Sequence, residues 1–434
     1  MSPAYDPPTE HTDELPASPT AKRTSLRWLK ISTSLVLLAA VAFVAVQALR
    51  PLPAPAVGGA KASYALPGRF EIPWPDHGQG AVHLPGTGQV AVFGPQESVP
   101  TASVAKIMTA YVILQGHPLK KGEEGPRIAV DAQAVAEGTS RNESRIQGLT
   151  QGATFSQQDM LKMLMIPSGN NIARLLARWD GGGASTAPFV AKMNAAAKDL
   201  GMHDTVYTDP SGLDSRTVST AVDQLKLAEA AMKSDVFRAI VALPDATIEG
   251  LPEPLYNNNA SLLLAGLSIK GIKTGSSTPA GGTLVWAAYK TVGEKTPLIL
   301  GSLMGQRAEG PDPDALRSLD LVKTNAQKVV AAVRAGLTDG KIVSRGQTVG
   351  WVRDALGRRT PLVAVRDIEV VGVPGQKLDA VLRVNGAGLP SSAAPGTEVA
   401  TLTVGSGPQA LRVPVAVREG LTEPTLLDRL TRLP

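Results

Sequence analysis

The chain contains no cysteine, which removes disulfide frameworks, thiol nucleophiles and Cys-based metal sites from consideration. Histidine is scarce as well: His11, His77, His83, His117 and His203 show no HxxxH or HExxH spacing, so a zinc hydrolase is disfavoured and neither metal nor other cofactor is expected. Behind the net charge of +5 there is no stripe of Lys and Arg with interleaved aromatics, and nucleic acid is not an expected partner. What is present is ordinary globular composition, 43% hydrophobic and 19% charged over 434 residues, with 43 Gly and 34 Pro marking many turns. That length favours two folded units plus appendages.

Residues 31–49 (ISTSLVLLAAVAFVAVQAL) carry no charge, and a helix of that length roughly crosses the ~30 Å hydrocarbon core of a bilayer. Lys22, Arg23, Arg27 and Lys30 precede the run, while only Arg50 closely follows it. The positive-inside rule then puts the N-terminus in the cytoplasm and the rest outside. The expected arrangement is a single-pass cell-membrane protein with a cytoplasmic disordered leader over 1–30, a transmembrane helix over 31–49 and a linker over 50–66, stiffened by Pro. A cleaved signal peptide is the competing reading, given Ala45 and Ala48; the long leader and long apolar run favour a retained anchor.

Runs at 80–84 and 89–93 flank Pro85-Gly86-Thr87-Gly88 and predict a hairpin. Residues 102–114 (ASVAKIMTAYVIL) are apolar nearly all round and predict a buried helix. Ser156 and Asp159 frame a capping box for a helix over 157–165, which Pro167 ends. Helices over 187–200 and 221–232 follow, with the turn-rich TDPSGLDS at 208–215 between them. A strand over 269–272 runs into Lys273-Thr274-Gly275, strands over 283–289 and 298–303 make a hairpin, and an amphipathic helix over 313–335 stops at Gly336. These elements predict an α/β (α+β) domain over 67–336, an antiparallel sheet flanked by helices. Val-rich runs at 368–373, 380–384, 399–404 and 411–417 predict a small all-β, sandwich-like domain over 341–420, and 421–434 is read as a solvated tail with a short helix.

Three short motifs carry chemistry. In Ser103-Val104-Ala105-Lys106 a three-residue helical spacing puts hydroxyl and amine on one face, one turn apart. A serine becomes a nucleophile when a base takes its proton, and a lysine is such a base only where burial and neighbouring positive charge favour its neutral form. The apolar helix and its N-terminus push Lys106 in that direction. SxxK alone arises by chance in many chains and usually marks a solvated lysine; here the lysine lies in an otherwise apolar helix. Ser168-Gly169-Asn170 is placed in the loop after a helix, where Gly169 permits a tight turn that projects two polar side chains into one space. Alone it reads as a simple turn, yet its hydroxyl can relay a proton and its carboxamide can hold Lys106 and a substrate amide. Lys273-Thr274-Gly275 can bind a carboxylate, with Gly275 letting a substrate backbone approach the sheet edge.

In this order SxxK, SxN and KTG form the set found in penicillin-binding proteins and class A β-lactamases. Adding Pro100-Thr101-Ala102 before Ser103, PSGN at 167–170, DPSGL at 209–213, STAVD at 219–223 and GIKTG at 271–275, the chain resembles the low-molecular-mass D-alanyl-D-alanine carboxypeptidases, the penicillin-binding protein 5-like serine peptidases. The resemblance covers residues 75–305 strongly and the C-terminal β region more weakly. It implies a β-lactamase/transpeptidase-like fold for 67–336 and removal of the terminal D-alanine from peptidoglycan stem peptides through an acyl-enzyme, with β-lactam antibiotics as covalent inhibitors. It also implies Ser103 as nucleophile, Lys106 as proton acceptor, Ser168 and Asn170 in proton transfer, and Lys273 with Thr274 holding the substrate carboxylate beside Gly275. The oxyanion would meet backbone N–H groups, that of Ser103 among them. Arg307 reads as an exposed structural residue, with a carboxylate contact as the alternative.

Two departures stand out. Asn171 occupies a position where relatives often carry Asp, which puts an orienting charge in doubt. An N-terminal span replaces the C-terminal amphipathic helix that commonly holds relatives. A class A β-lactamase is disfavoured because residues 171–180 contain no Glu and a β domain follows. Transpeptidase and endopeptidase readings use the same residues. A non-catalytic peptidoglycan-binding membrane protein on a retired enzyme fold is the alternative of another class, and the intact motifs argue against it.

Overall fold

The computed structural model describes residues 22–386, 388–407 and 410–431; most of the expected leader, residues 1–21, lies outside them. The first helix, Lys22–Leu49, starts before the expected span. Its apolar part, Arg27–Leu49, is long and apolar enough to cross a membrane, and is the one such helix among the described residues. At about 1.5 Å per residue, its 23 residues exceed the length that a bilayer core requires. From Arg27 to Val46 every residue of this helix is exposed.

The sheet-and-helix unit is built on five antiparallel strands in the order Ile269–Ser277, Gly281–Tyr289, Leu298–Gln306, Gln79–Leu84 and Gly88–Phe93. Both faces are covered. Along the second strand Leu284, Trp286 and Ala288 face the long helix Leu316–Gly336, while Val285 and Ala287 face the helices around Lys106–Gly116. This explains strands that read as continuous apolar runs, because alternate side chains enter two different cores. Trp286 pairs with Gly301, where an added Cβ would sit 1.9 Å from the indole, so the glycine makes room for the ring.

The helix expected over 102–114 begins as a 3-10 turn, Ala102–Ala105, and becomes α-helical only at Lys106. Helix Gln157–Met165 is capped as expected, the Ser156 Oγ accepting from the Asp159 N–H at 3.1 Å. Ahead of the long helix, Pro313–Ala315 forms a separate 3-10 turn, with Asp314 at φ 61° and Ala315 at φ 53° breaking the helical path.

The all-β unit is a seven-stranded antiparallel sheet with its own core, accompanied by the pair Thr338–Val343 and Ile368–Gly372. The sheet corrects one expectation. Residues 50–66 are not merely a spacer: Ala56–Gly58 pairs with Thr348–Arg353 at one edge, and Ser63–Ala65 with Lys377–Val384 at the other. The tail helix, Leu426–Leu430, is likewise not wholly solvated, since Arg429 donates to the Ala48 carbonyl at the end of the apolar helix (3.3 Å).

Candidate active site

Four segments meet around the Lys106 amine. The first is the 3-10 turn Ala102–Ala105 with the helix start that follows it: Ser103 is partly exposed and Lys106 is fully buried. Its Nζ lies 2.8 Å from the Ser103 Oγ, 2.5 Å from the Asn170 Oδ1 and 2.8 Å from the Ser211 carbonyl. A neutral amine has two N–H donors and one lone pair. With the amide and carbonyl oxygens taking the N–H groups, the lone pair remains for the Ser103 hydroxyl. Burial, and then the nearby Lys273 cation, push the Lys106 amine well below its ordinary range, so the neutral form is the one this setting favours.

Ser168-Gly169-Asn170 supplies the second segment. Sequence placed it in a loop, but Asn170 is the first residue of the helix Asn170–Gly181. Ser168 turns the chain through the left-handed region at φ 70°, a conformation that costs a non-glycine residue free energy. Its hydroxyl is buried without a protein partner among the described residues. The doubt over Asn171 resolves: buried, it accepts from the Ile146 N–H at 3.0 Å and donates to the Ala134 and Ile146 carbonyls. An uncharged amide suits that backbone-bracing position.

The third segment is residues 209–213. Asp209 accepts from the Ser211 N–H and Oγ, the Leu213 N–H and the Thr217 Oγ1, and this folded turn presents the Ser211 carbonyl to Lys106. Gly212, at φ 79°, passes so close to the nucleophile turn that a Cβ would lie 1.8 Å from the Ala102 oxygen.

Lys273-Thr274-Gly275 lies inside the edge strand Ile269–Ser277, not after it. A Cβ on Gly275 would stand 2.8 Å from the Ser103 nitrogen and 2.6 Å from the Thr283 Oγ1. The glycine therefore lets the strand backbone lie against the Ser103 N–H. Thr283, on the next strand, donates to the Thr101 carbonyl at 3.0 Å and pins the turn to the sheet. Lys273 is buried, donates to the Thr274 carbonyl at 2.9 Å, and is lowered by burial to about 7. Arg307 is exposed, and its guanidinium reaches the Thr278 and Pro279 carbonyls at the hairpin tip. A cleft of 1120 Å³ lies elsewhere, between strand Gly88–Phe93 and the β unit.

Sequence reasoning missed Glu143. Its Oε2 accepts from the Asn170 Nδ2 at 2.8 Å, and Arg174 clasps both its oxygens at 2.9 and 3.1 Å. Arg174 sits one helical turn beyond Asn170, a spacing that sequence could have flagged; Glu143 lies in an aperiodic loop with no local signal.

A serine and a fully buried lysine on one helix start, an amide beside them and an edge strand carrying a second buried lysine against Ser103 define the class of SxxK acyl-transferase folds. The profile of the family described as D-alanyl-D-alanine carboxypeptidase, peptidase family S11, matches residues 86–304. The chain belongs to that family. A D-alanyl-D-alanine carboxypeptidase of Streptomyces sp. strain K15 is 31% identical over 216 residues, 47% of this chain and 72% of that one. A D-alanyl-D-alanine endopeptidase of Haemophilus influenzae is 31% identical over 169 residues, 38% of this chain. The chain spans only 53% of that relative's length. Among solved structures, the Streptomyces K15 DD-transpeptidase aligns at TM-score 0.51 and 25% identity, covering 61% of this chain and 98% of that one. Penicillin binding protein 5 of Haemophilus influenzae, 19% identical, shares the fold over 82% of this chain and 99% of its own at TM-score 0.57.

Proposed function

We propose that this chain is a membrane-anchored serine D-Ala-D-Ala carboxypeptidase that trims peptidoglycan stem peptides outside the cytoplasm. The observation that carries the reading is the buried Lys106 amine 2.8 Å from the Ser103 hydroxyl. Lys106 takes the Ser103 proton as the oxygen attacks the penultimate D-Ala carbonyl. The tetrahedral oxyanion develops beside the Ser103 N–H, against the Gly275 backbone, where a preorganised donor is worth most. Ser168 relays the proton to the departing D-alanine nitrogen, and Asn170 holds the lysine and the substrate amide. Lys273 and Thr274 bind the terminal carboxylate, and the substrate chain lies along the edge strand as an added strand. Water then cleaves the acyl-enzyme. The Arg27–Leu49 helix anchors the enzyme with its N-terminus in the cytoplasm, and no cofactor takes part.

Fluorescent penicillin provides the first test: it should label the protein covalently, and Ser103→Ala should abolish the label. Absence of label on folded protein would instead favour a retired fold that only binds peptidoglycan. Release of D-alanine from a synthetic acyl-D-Ala-D-Ala peptide by the ectodomain is the second. Endopeptidase and transpeptidase activities are alternatives because relatives carry those names. Cleavage of cross-linked stem-peptide dimers faster than D-alanine release, or faster transfer to an added amine than to water, would replace the carboxypeptidase assignment.

A further inference from the structure

The Asn170 side chain stands between two groups with opposite demands. On one side is Lys106, which as a base needs an acceptor for one of its N–H bonds; on the other is the Glu143 carboxylate, 8% exposed. A carboxamide can face either way, because its oxygen and nitrogen ends have nearly the same shape. With the Asn170 oxygen toward Lys106, the amine donates and keeps its lone pair for Ser103. With the nitrogen toward Lys106, the amide N–H would compete with Ser103 for that lone pair.

Resting on the acyl-transfer reading above, we infer that Glu143 is a positioning residue: as an acceptor-only carboxylate it dictates which end of the Asn170 amide faces Lys106. An ionised carboxylate has no hydrogen to give, so the amide nitrogen must turn to Glu143 and the oxygen to Lys106. Glu143 is kept in that state by Arg174, whose Nη1 and Nη2 bond its two oxygens while its Nε pairs with Glu137 at 3.0 Å. Burial alone would raise the Glu143 carboxyl, yet the bonds from Arg174 and Asn170 outweigh it and hold it below the ordinary range. That makes Glu143 a poor proton acceptor and a reliable hydrogen-bond acceptor.

Second-order acylation by a fluorescent penicillin, followed against pH, tests this. Glu143→Gln has the same shape but can donate or accept, so both amide orientations become satisfied; the plateau rate should fall about ten- to a hundredfold, within the usual contribution of a positioned base. The charged groups facing Lys106 are Lys273 and Arg174, which lower it, and Asp209 and Glu143, which raise it. Removing one of the two anions should therefore shift the acid limb to lower pH. Glu137→Gln, which breaks the outer end of the same ion-pair ladder, should lower the melting temperature without moving the limb. The exchange variant Glu143→Gln with Asn170→Asp restores an unambiguous acceptor beside Lys106. It should acylate faster than either single variant, with its acid limb above that of the wild type because the anion now lies closer to the amine.

A Glu143→Gln protein that acylates at the wild-type rate with its limb unmoved overturns the inference, and so does an exchange variant no faster than the single ones. If the wild-type chain itself takes no label, the acyl-enzyme reading has failed, an outcome distinct from a labelled wild type with an indifferent Glu143.

Discussion

Among the described residues of the β unit, from residue 338 onward, Gln376 is the single buried polar side chain; the rest of its core is Val, Leu, Ile and Ala. The sheet-and-helix unit instead buries Lys106, Lys273, Ser168, Asn170, Asn171 and Arg178 within or beside its core. Burying an unpaired ammonium-type group costs several kcal/mol even after relaxation, and a left-handed Ser168 adds about 1–3 kcal/mol more. Such costs persist where they serve chemistry. The difference teaches that the two units answer to different constraints: one is packed almost wholly with apolar side chains, and the other accepts the cost of burying two lysine amines near a hydroxyl.

The comparison breaks most visibly if chemistry and stability fail to separate. Ser103 is partly exposed, and its Oγ is hydrogen-bonded to the Lys106 amine. Ser103→Ala should take penicillin labelling to background while leaving the melting temperature within about 2 °C, the scale of a sub-kcal/mol surface change. Leu402, fully buried in the β unit, should behave oppositely. Leu402→Ala should cost about 2–5 kcal/mol by transfer and cavity terms, yet the folded fraction should acylate at the wild-type rate. A Leu402→Ala protein with intact fold but impaired acylation would tie the β unit to the chemistry.

What sequence revealed divides along the same line. The helix over 157–165 and its Ser156 cap were legible because capping and apolar spacing are local signals, and the strands 79–84 and 88–93 because a Pro-Gly turn separates them. The sequence places Lys273-Thr274-Gly275 after a strand over 269–272; in the structure the strand runs on through them to Ser277, with Gly275 where the Ser103 nitrogen leaves no room for a Cβ. Strands 56–58 and 63–65 were read as linker. They are short, Pro55 lies directly ahead of the first and Pro67 shortly after the second, and their partners Val352 and Leu378 are about three hundred residues away. The three motifs were visible one by one, but that Ser211 offers its carbonyl and Glu143 its carboxylate follows only from long-range folding.

A pH profile sharpens the comparison at intermediate size. In the free enzyme Lys273 is lowered to about 7 by burial, so it is cationic below that pH and loses its proton above it. On the proposed mechanism, acylation by a carboxylate-bearing penicillin needs Lys106 neutral and Lys273 charged. The second-order rate should therefore rise with pH through the lowered Lys106 range and fall above about 7, by about tenfold per pH unit once Lys273 is mostly neutral. Bound carboxylate favours the charged lysine, so the saturated rate should persist to higher pH than the second-order rate. Lys273→Arg keeps its charge at every accessible pH and should remove the alkaline fall, at reduced maximal rate because a larger group must fit a buried place. An unchanged alkaline limb in that variant would show that Lys273 does not set it.

The smallest effect is the most demanding test, because it probes a scaffold element next to the chemistry. Ser156 caps the helix Gln157–Met165, which ends three residues before the strained Ser168. Losing the cap should cost about 1 kcal/mol, a fall of about 2–4 °C in melting temperature for a unit of this size. If that helix only supports, Ser156→Ala should acylate like the wild type, since Ser168 and Asn170 are held at the end of the helix far from the cap, through the Gly169 N–H to the Met163 carbonyl at 3.1 Å and the Asn170 N–H to the Ser144 carbonyl at 2.8 Å. A slower acylation rate in Ser156→Ala would mean that fraying at the capped end reaches Ser168. The boundary between packing and chemistry would then run through the helical core of the first unit, not between the two units.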